Sequence, residues 1–269
     1  MTKHRLSLLL FLTFLFSRPA YPQFTTPLAS ASASAPTNQV DTVTLTLNST
    51  GGNLIHVAVS EYQGAGAFCT LADSNGITWN LRDTRSVSGS IQLRLWDAQP
   101  TGGQVGAGHS FTCQATGQTN LSSMAVVVWA NAAASASFQS ATGNVACMAC
   151  STATTPSVTP ANANSLVITA VAFDGPGSPI PDTSSISGSF TIREHMPCNA
   201  CDAPATGTAD GFGIGFAYLV QTAAASAGPT WTLNTAVDNV VTDIAVYKSN
   251  VVTPTGPKKG TLLTLGVGR

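Results

Sequence analysis

The chain has 269 residues, 43% of them hydrophobic and only 9% charged, with a formal net charge of −1. That much apolar sequence supports packed cores and excludes a chain held open by its own charge. With 11 basic residues against 12 acidic ones, nothing builds a basic surface, so no nucleic-acid partner is expected.

Residues 1–23 read as a signal peptide. Lys3, His4 and Arg5 precede an apolar run from Leu6 to Phe16, and Ser17 to Gln23 form a short polar exit. The run is too short to cross a bilayer, and no later stretch is longer, so no membrane span is expected and the location is secreted or cell surface. Residues 24–39 contain TTPLASASASAPTNQ, which reads as a flexible low-complexity linker.

From residue 40 onward, short apolar runs alternate with Gly, Asn, Asp, Ser and Pro clusters, the punctuation of an all-β chain. Residues 40–134 form a first unit, with strands predicted near 42–47, 53–61, 77–83, 90–97, 108–114 and 123–130. Ile91, Leu93 and Leu95 alternate with Gln92 and Arg94, whereas Leu54–Val59 and Met124–Trp129 are nearly continuous apolar runs. Residues 135–152 read as a cysteine-containing linker. Residues 153–250 form a second unit, with strands near 154–159, 165–173, 188–194, 211–220, 229–234 and 240–248. In residues 251–269 a Pro/Gly stretch, VVTPTGPKKG, is followed by TLLTLGVGR, whose alternation suits one extra strand. Such a strand either frays or adds to an open sheet edge, allowing self-association through this tail.

Four segments recur in order at nearly constant spacing. NLIHVAVSEY from Asn53 matches SLVITAVAFD from Ser165, and WNLRD from Trp79 matches FTIRE from Phe190. HSFTC from His109 matches PTWTL from Pro229, and VVVWA from Val126 matches IAVYK from Ile244. This reads as the trace of an internal duplication, giving two tandem β-sandwich units. Between the second and third pairs, Ile91, Leu93 and Leu95 align with Phe212, Ile214 and Phe216 rather than with Gly213, Gly215 and Ala217. A one-residue slip would exchange the faces of the strand and empty the core. Gly52–Val59 and Asn75–Trp79 resemble the jelly-roll or immunoglobulin-like sandwich modules of exported bacterial proteins. The second unit departs from that pattern, with Ser189 and Phe190 in place of the Thr-Trp step. The resemblance implies a sandwich displayed outside the cell and implies no activity.

The six cysteines, an even number behind an export signal, point to disulfides. Cys69 and Cys113 should bond each other, because the second unit has Pro181 and Leu233 at the matching places and so lacks both together. Cys147, Cys150, Cys198 and Cys201 form two C-x-x-C motifs. Disulfides between the motifs are the first reading, a zinc site held by all four cysteines the second and a redox pair the third.

Gly108-His109-Ser110-Phe111-Thr112 imitates a nucleophile elbow, but Thr112 replaces the closing Gly and the segment lies in a strand, so Ser110 reads as a plain strand residue. His56 sits where the second unit has Ile168 and reads as a packing residue; His109 and His195 stand alone. Glu61, Asp73, Asp83, Asp97, Asp174, Asp182 and Glu194 could supply a glycosidase pair. Asp73-Ser-Asn-Gly76 reads as a turn, with a Ca²⁺ seat as its alternative. Trp79, Trp129 and Trp231 fall on repeat-matched core positions, leaving Tyr62 and Trp96 as a candidate sugar-stacking platform. No catalytic residue and no cofactor is assigned. The expected role is a non-catalytic extracellular structural, adhesive or binding module with a glycan or cell-surface partner. A carbohydrate-binding module and a secreted glycoside hydrolase are the alternatives.

Overall fold

The computed structural model describes residues 24–35, 42–62, 67–116, 122–134, 137–175, 179–198 and 212–250. The predicted signal peptide and C-terminal tail lie outside them. The described chain is an all-β fold of antiparallel sheets with fourteen strands and no α-helix. No helix among the described residues is long and apolar enough to cross a membrane.

In the first half, a five-stranded sheet runs in the order β1 (Ala29–Ser34), β8 (Ser123–Trp129), β3 (Leu54–Tyr62), β6 (Ile91–Ala98), β5 (Asn80–Ser86). It faces a three-stranded sheet, β2 (Thr42–Leu47), β7 (His109–Thr116), β4 (Ala67–Asp73). Val43 and Leu45, Ile55 and Val57, Phe111, and Val126 and Val128 fill the core between the two sheets. These residues come from every second position of their strands, as a sandwich requires.

The second half repeats this order with two long strands that each serve both layers. In one layer the order is β9 (Phe138–Thr154), β14 (Thr230–Lys248), β10 (Ser165–Asp174), β13 (Gly213–Gln221), β12 (Thr191–Met196). In the other, the start of β14 pairs with the end of β9 and with β11 (Thr183–Ile186). The ladders correspond in detail. Ile55 lies between Ala98 and Val128, and Val167 lies between Leu219 and Val246. Leu71 pairs with Cys113, and Thr183 with Leu233.

The two five-stranded layers then pack on each other. Leu54, Ala58, Leu93, Leu95 and Trp129 meet Leu166, Ile168, Ile214, Phe216 and Tyr247 in a single shared core. This explains the continuous apolar runs in β3, β8 and β10, which are covered on both faces. The chosen register also holds: Ile91, Leu93 and Leu95 face this core together with Phe212, Ile214 and Phe216. Gly213 and Gly215 point the other way and leave room for large rings. A Cβ on Gly213 would lie 2.0 Å from the Phe173 ring, and one on Gly215 3.0 Å from the Trp231 ring.

Several segments differ from expectation. Ala29–Ser34, read as flexible linker, is a strand paired with β8. Its alanines pack toward the first core while Ser30 and Ser32 hydrogen-bond Glu194. Residues 138–154, largely read as linker, form a 17-residue strand. β4 and β11 were not expected, and the segments predicted as strands 229–234 and 240–248 are one continuous strand. Around 158 there is only an isolated bridge between Val158 and Ala227.

Candidate functional site

The residue types of an acyl-transfer triad meet at one end of the first sandwich. Ser49 follows β2, Asp73 closes β4 and His109 opens β7. Ser49 Oγ lies 2.8 Å from His109 Nδ1, and His109 Nε2 lies 3.1 Å from Asp73 Oδ1. The Asp73 carboxylate also accepts the backbone N–H of Asn75 at 2.8 Å, that of Ile77 at 3.0 Å and the indole N–H of Trp79 at 2.9 Å. The His109 ring packs 4.1 Å from Phe111.

A nucleophile must also reach a substrate atom, about 3 Å from its oxygen. Ser49 is fully buried, and its Oγ accepts the N–H of Gly106 at 3.0 Å. The His109 and Asp73 side chains are 0% and 1% exposed. The chain Ser49–His109–Asp73 therefore fastens three loops to one another. The turn reading of Asp73 holds, since N–H donors surround its carboxylate and Gly76 carries the positive φ of 69° that a side chain would strain. An Asp73→Ala variant leaves the Trp79 indole and two backbone N–H groups, all partly buried, without their acceptor. It should lose about 3 kcal/mol of stability, measured as a shift of the urea midpoint with an unchanged slope.

Cys69 and Cys113 are disulfide-bonded, with Cα atoms 5.3 Å apart. Beside them Glu61 accepts the Cys69 N–H at 2.9 Å, and Arg94 donates to the Cys69 carbonyl at 2.8 Å. Burial pushes the Glu61 carboxyl above its usual range, against the opposing pull of the Cys69 N–H and Arg94. Glu61 and the two sulfurs are close enough together to suggest a metal-binding set, but the sulfurs are already spent on each other. Cys150 and Cys198 are disulfide-bonded as well, so neither offers a thiolate to the alternative four-cysteine zinc site. Cys201 and the Cys147 side chain lie outside the described residues.

Trp96 does not present an open stacking face. It is 5% exposed, part of the first core, with the Arg94 guanidinium 4.6 Å from its ring. The alternation of β6 points it inward between the two sheets. The Tyr62 side chain lies outside the described residues.

The seven acids considered for a glycosidase pair each have a partner of another kind. Glu61 and Asp73 are described above; Asp83 pairs with Arg85 at 2.5 Å and Asp97 with Arg82 at 2.7 Å. Asp174 binds Ser90 and accepts the Asn239 N–H at 2.7 Å, Asp182 meets His195 at 2.9 Å, and Glu194 holds Ser30 and Ser32. Asp243, which sequence reasoning did not single out, is fully buried. Desolvation, reinforced by Asp83, pushes its carboxyl well above the usual range.

The second half carries a cleft of about 460 Å³ between the turn at Gly188–Phe190 and the loop from Thr222 to Gly228. Gln221 lines it; its Nε2 donates to the Ala225 carbonyl at 3.0 Å, while its buried Oε1 has no partner. At the matching place in the first half the gap is closed. Asn75 donates to the Gln104 carbonyl at 3.1 Å, and Gln104 donates to the Gly76 carbonyl at 3.0 Å. No protein-family model, no curated protein and no solved structure matches the chain.

Proposed function

We propose that this chain is a non-catalytic extracellular module with a structural, adhesive or binding role, released to the outside or to the cell surface. The observation that carries the reading is the fate of Ser49, His109 and Asp73. The groups best suited to catalysis are buried, mutually bonded and used to tie loops together. The disulfide between β4 and β7 fits an oxidising compartment, and the low charge leaves a surface of small neutral polar residues. The purified protein and a Ser49→Ala variant should give the same background with chromogenic esters and glycosides. Turnover that disappears in Ser49→Ala would overturn the proposal.

The Gln221 cleft favours a second reading, a carbohydrate-binding module. Its lining has no charged residue and combines the Phe190 ring with the polar side chains of Ser189, Thr222 and Ser226, which suits a neutral sugar. Titration with neutral oligosaccharides, followed by amide NMR shifts, should then perturb residues 188–190 and 219–228 and leave the first half unchanged. Shifts elsewhere, or none, count against this reading.

A further inference from the structure

We propose that the two halves are fused copies of one sandwich unit paired about a pseudo-two-fold axis, so that the face joining them is a self-complementary docking surface whose partner is a second copy of the unit. A two-fold interface is recognised by reciprocity: if element i of one copy touches element j of the other, then j also touches i. The ladders described above make β9 the counterpart of β1, β10 of β3, β12 of β5, β13 of β6 and the second part of β14 that of β8.

The contacts between halves then come in exchanged pairs. β1 lies against β12, and β5 against β9. β8 touches β12 and β13, while β14 touches β5 and β6. β3 meets β13, β10 meets β6, and the two central strands β3 and β10 meet each other. Side chains follow the same rule. Leu54 and Leu166, Leu93 and Ile214, and Trp129 and Tyr247 are counterparts, and all six lie in the shared core. A head-to-tail packing would bring different faces of the two units together.

The rims are not symmetric. At one edge Ser30 and Ser32 bind Glu194. At the other, Arg82 lies 4.3 Å over the Phe138 ring, and Gly143 leaves the space Arg85 occupies, since a Cβ there would sit 2.6 Å from its Cγ. A common apolar centre with unlike rims favours the pairing of unlike halves over that of like ones.

The test uses the full chain with a protease recognition sequence inserted between Ala134 and Ser137. Cleavage there leaves every strand ladder within one half, and the backbone pairing that still crosses beside the cut is the isolated bridge between Ala132 and Ser249 with its neighbouring hydrogen bonds. After cutting, light scattering on a sizing column should show one species of the uncut mass. Two half-mass species would overturn the proposal. Leu93→Asp and its counterpart Ile214→Asp, introduced separately, should each weaken the cut pair by roughly 100-fold. Release by one and not the other would overturn the two-fold relation, and release by neither would show that this face is not the joint.

Discussion

A His56→Ile variant should be more stable than the parent chain, and its advantage should widen as the pH falls. His56 is fully buried in the shared core, its ring 4.4 Å from Tyr247 and 6.2 Å from Phe216, and neither ring nitrogen has a hydrogen-bond partner. Burial lowers its pKa from 6.5 to about 3, against the attraction of Asp97 and with a further push from Arg82. The unfolded chain therefore takes up a proton near pH 6.5, while the native chain does not until about pH 3. Between those values stability rises with pH and is lost as the pH falls. The total is about 5 kcal/mol at the acid end, from the shift of 6.5 to about 3 at about 1.4 kcal/mol per unit. Isoleucine, which stands at the counterpart position 168, does not titrate and strands no polar atom. At neutral pH the gain should be about 1–3 kcal/mol, from removing unpaired buried nitrogens. Glu61, Asp174 and Asp243 act in the opposite direction, because their raised carboxyl pKa values make the native chain bind protons first. The difference between variant and parent cancels their contribution. Urea midpoints of both proteins at pH 7, 5 and 4 provide the measurement, and parallel curves would show that His56 does not carry the acid sensitivity.

Removing the Cys69–Cys113 bond with a Cys69→Ala/Cys113→Ala double variant should cost about 4 kcal/mol. The bond closes a loop with a sequence separation of 44, and freeing a loop of that length returns about 4 kcal/mol of conformational entropy to the unfolded chain. The loss should be confined to the first half, since the second has Pro181 and Leu233 at the corresponding places. Unfolding followed in variants that keep either Trp79 or Trp231 alone of the four tryptophans, one reporting on each half, separates the two. Equal losses at both would mean that the halves unfold as one unit.

Much of the fold was written locally. Alternation placed Ile91, Leu93 and Leu95 on one face, and comparison with the second half chose Phe212, Ile214 and Phe216 as their counterparts over the intervening glycines. The joint absence of Cys69 and Cys113 from the second half identified their pairing. Each of these inferences needed only a strand's period of two or one half of the chain read against the other. β1 and β9 were illegible because Ala, Ser, Gly and Thr have too little apolar area to mark a buried face. What orders them is backbone pairing to β8 and β14, which no local pattern records.

The buried site was hidden for a related reason. Ser49 and Asp73 lie 60 and 36 positions from His109, and only the sandwich brings the ends of β2, β4 and β7 to one point. Trp96 could be read as a platform until its burial between two sheets was known. By itself the sequence determined the class of fold, which residues of β6 and β13 face the core and one disulfide, because periodicity and internal comparison are properties of the chain. The tertiary structure decided that the second apolar face of β3, β8 and β10 is covered by the other half. It also decided that His56 sits inside that contact without a partner, because which surfaces meet depends on where distant strands are brought together in space.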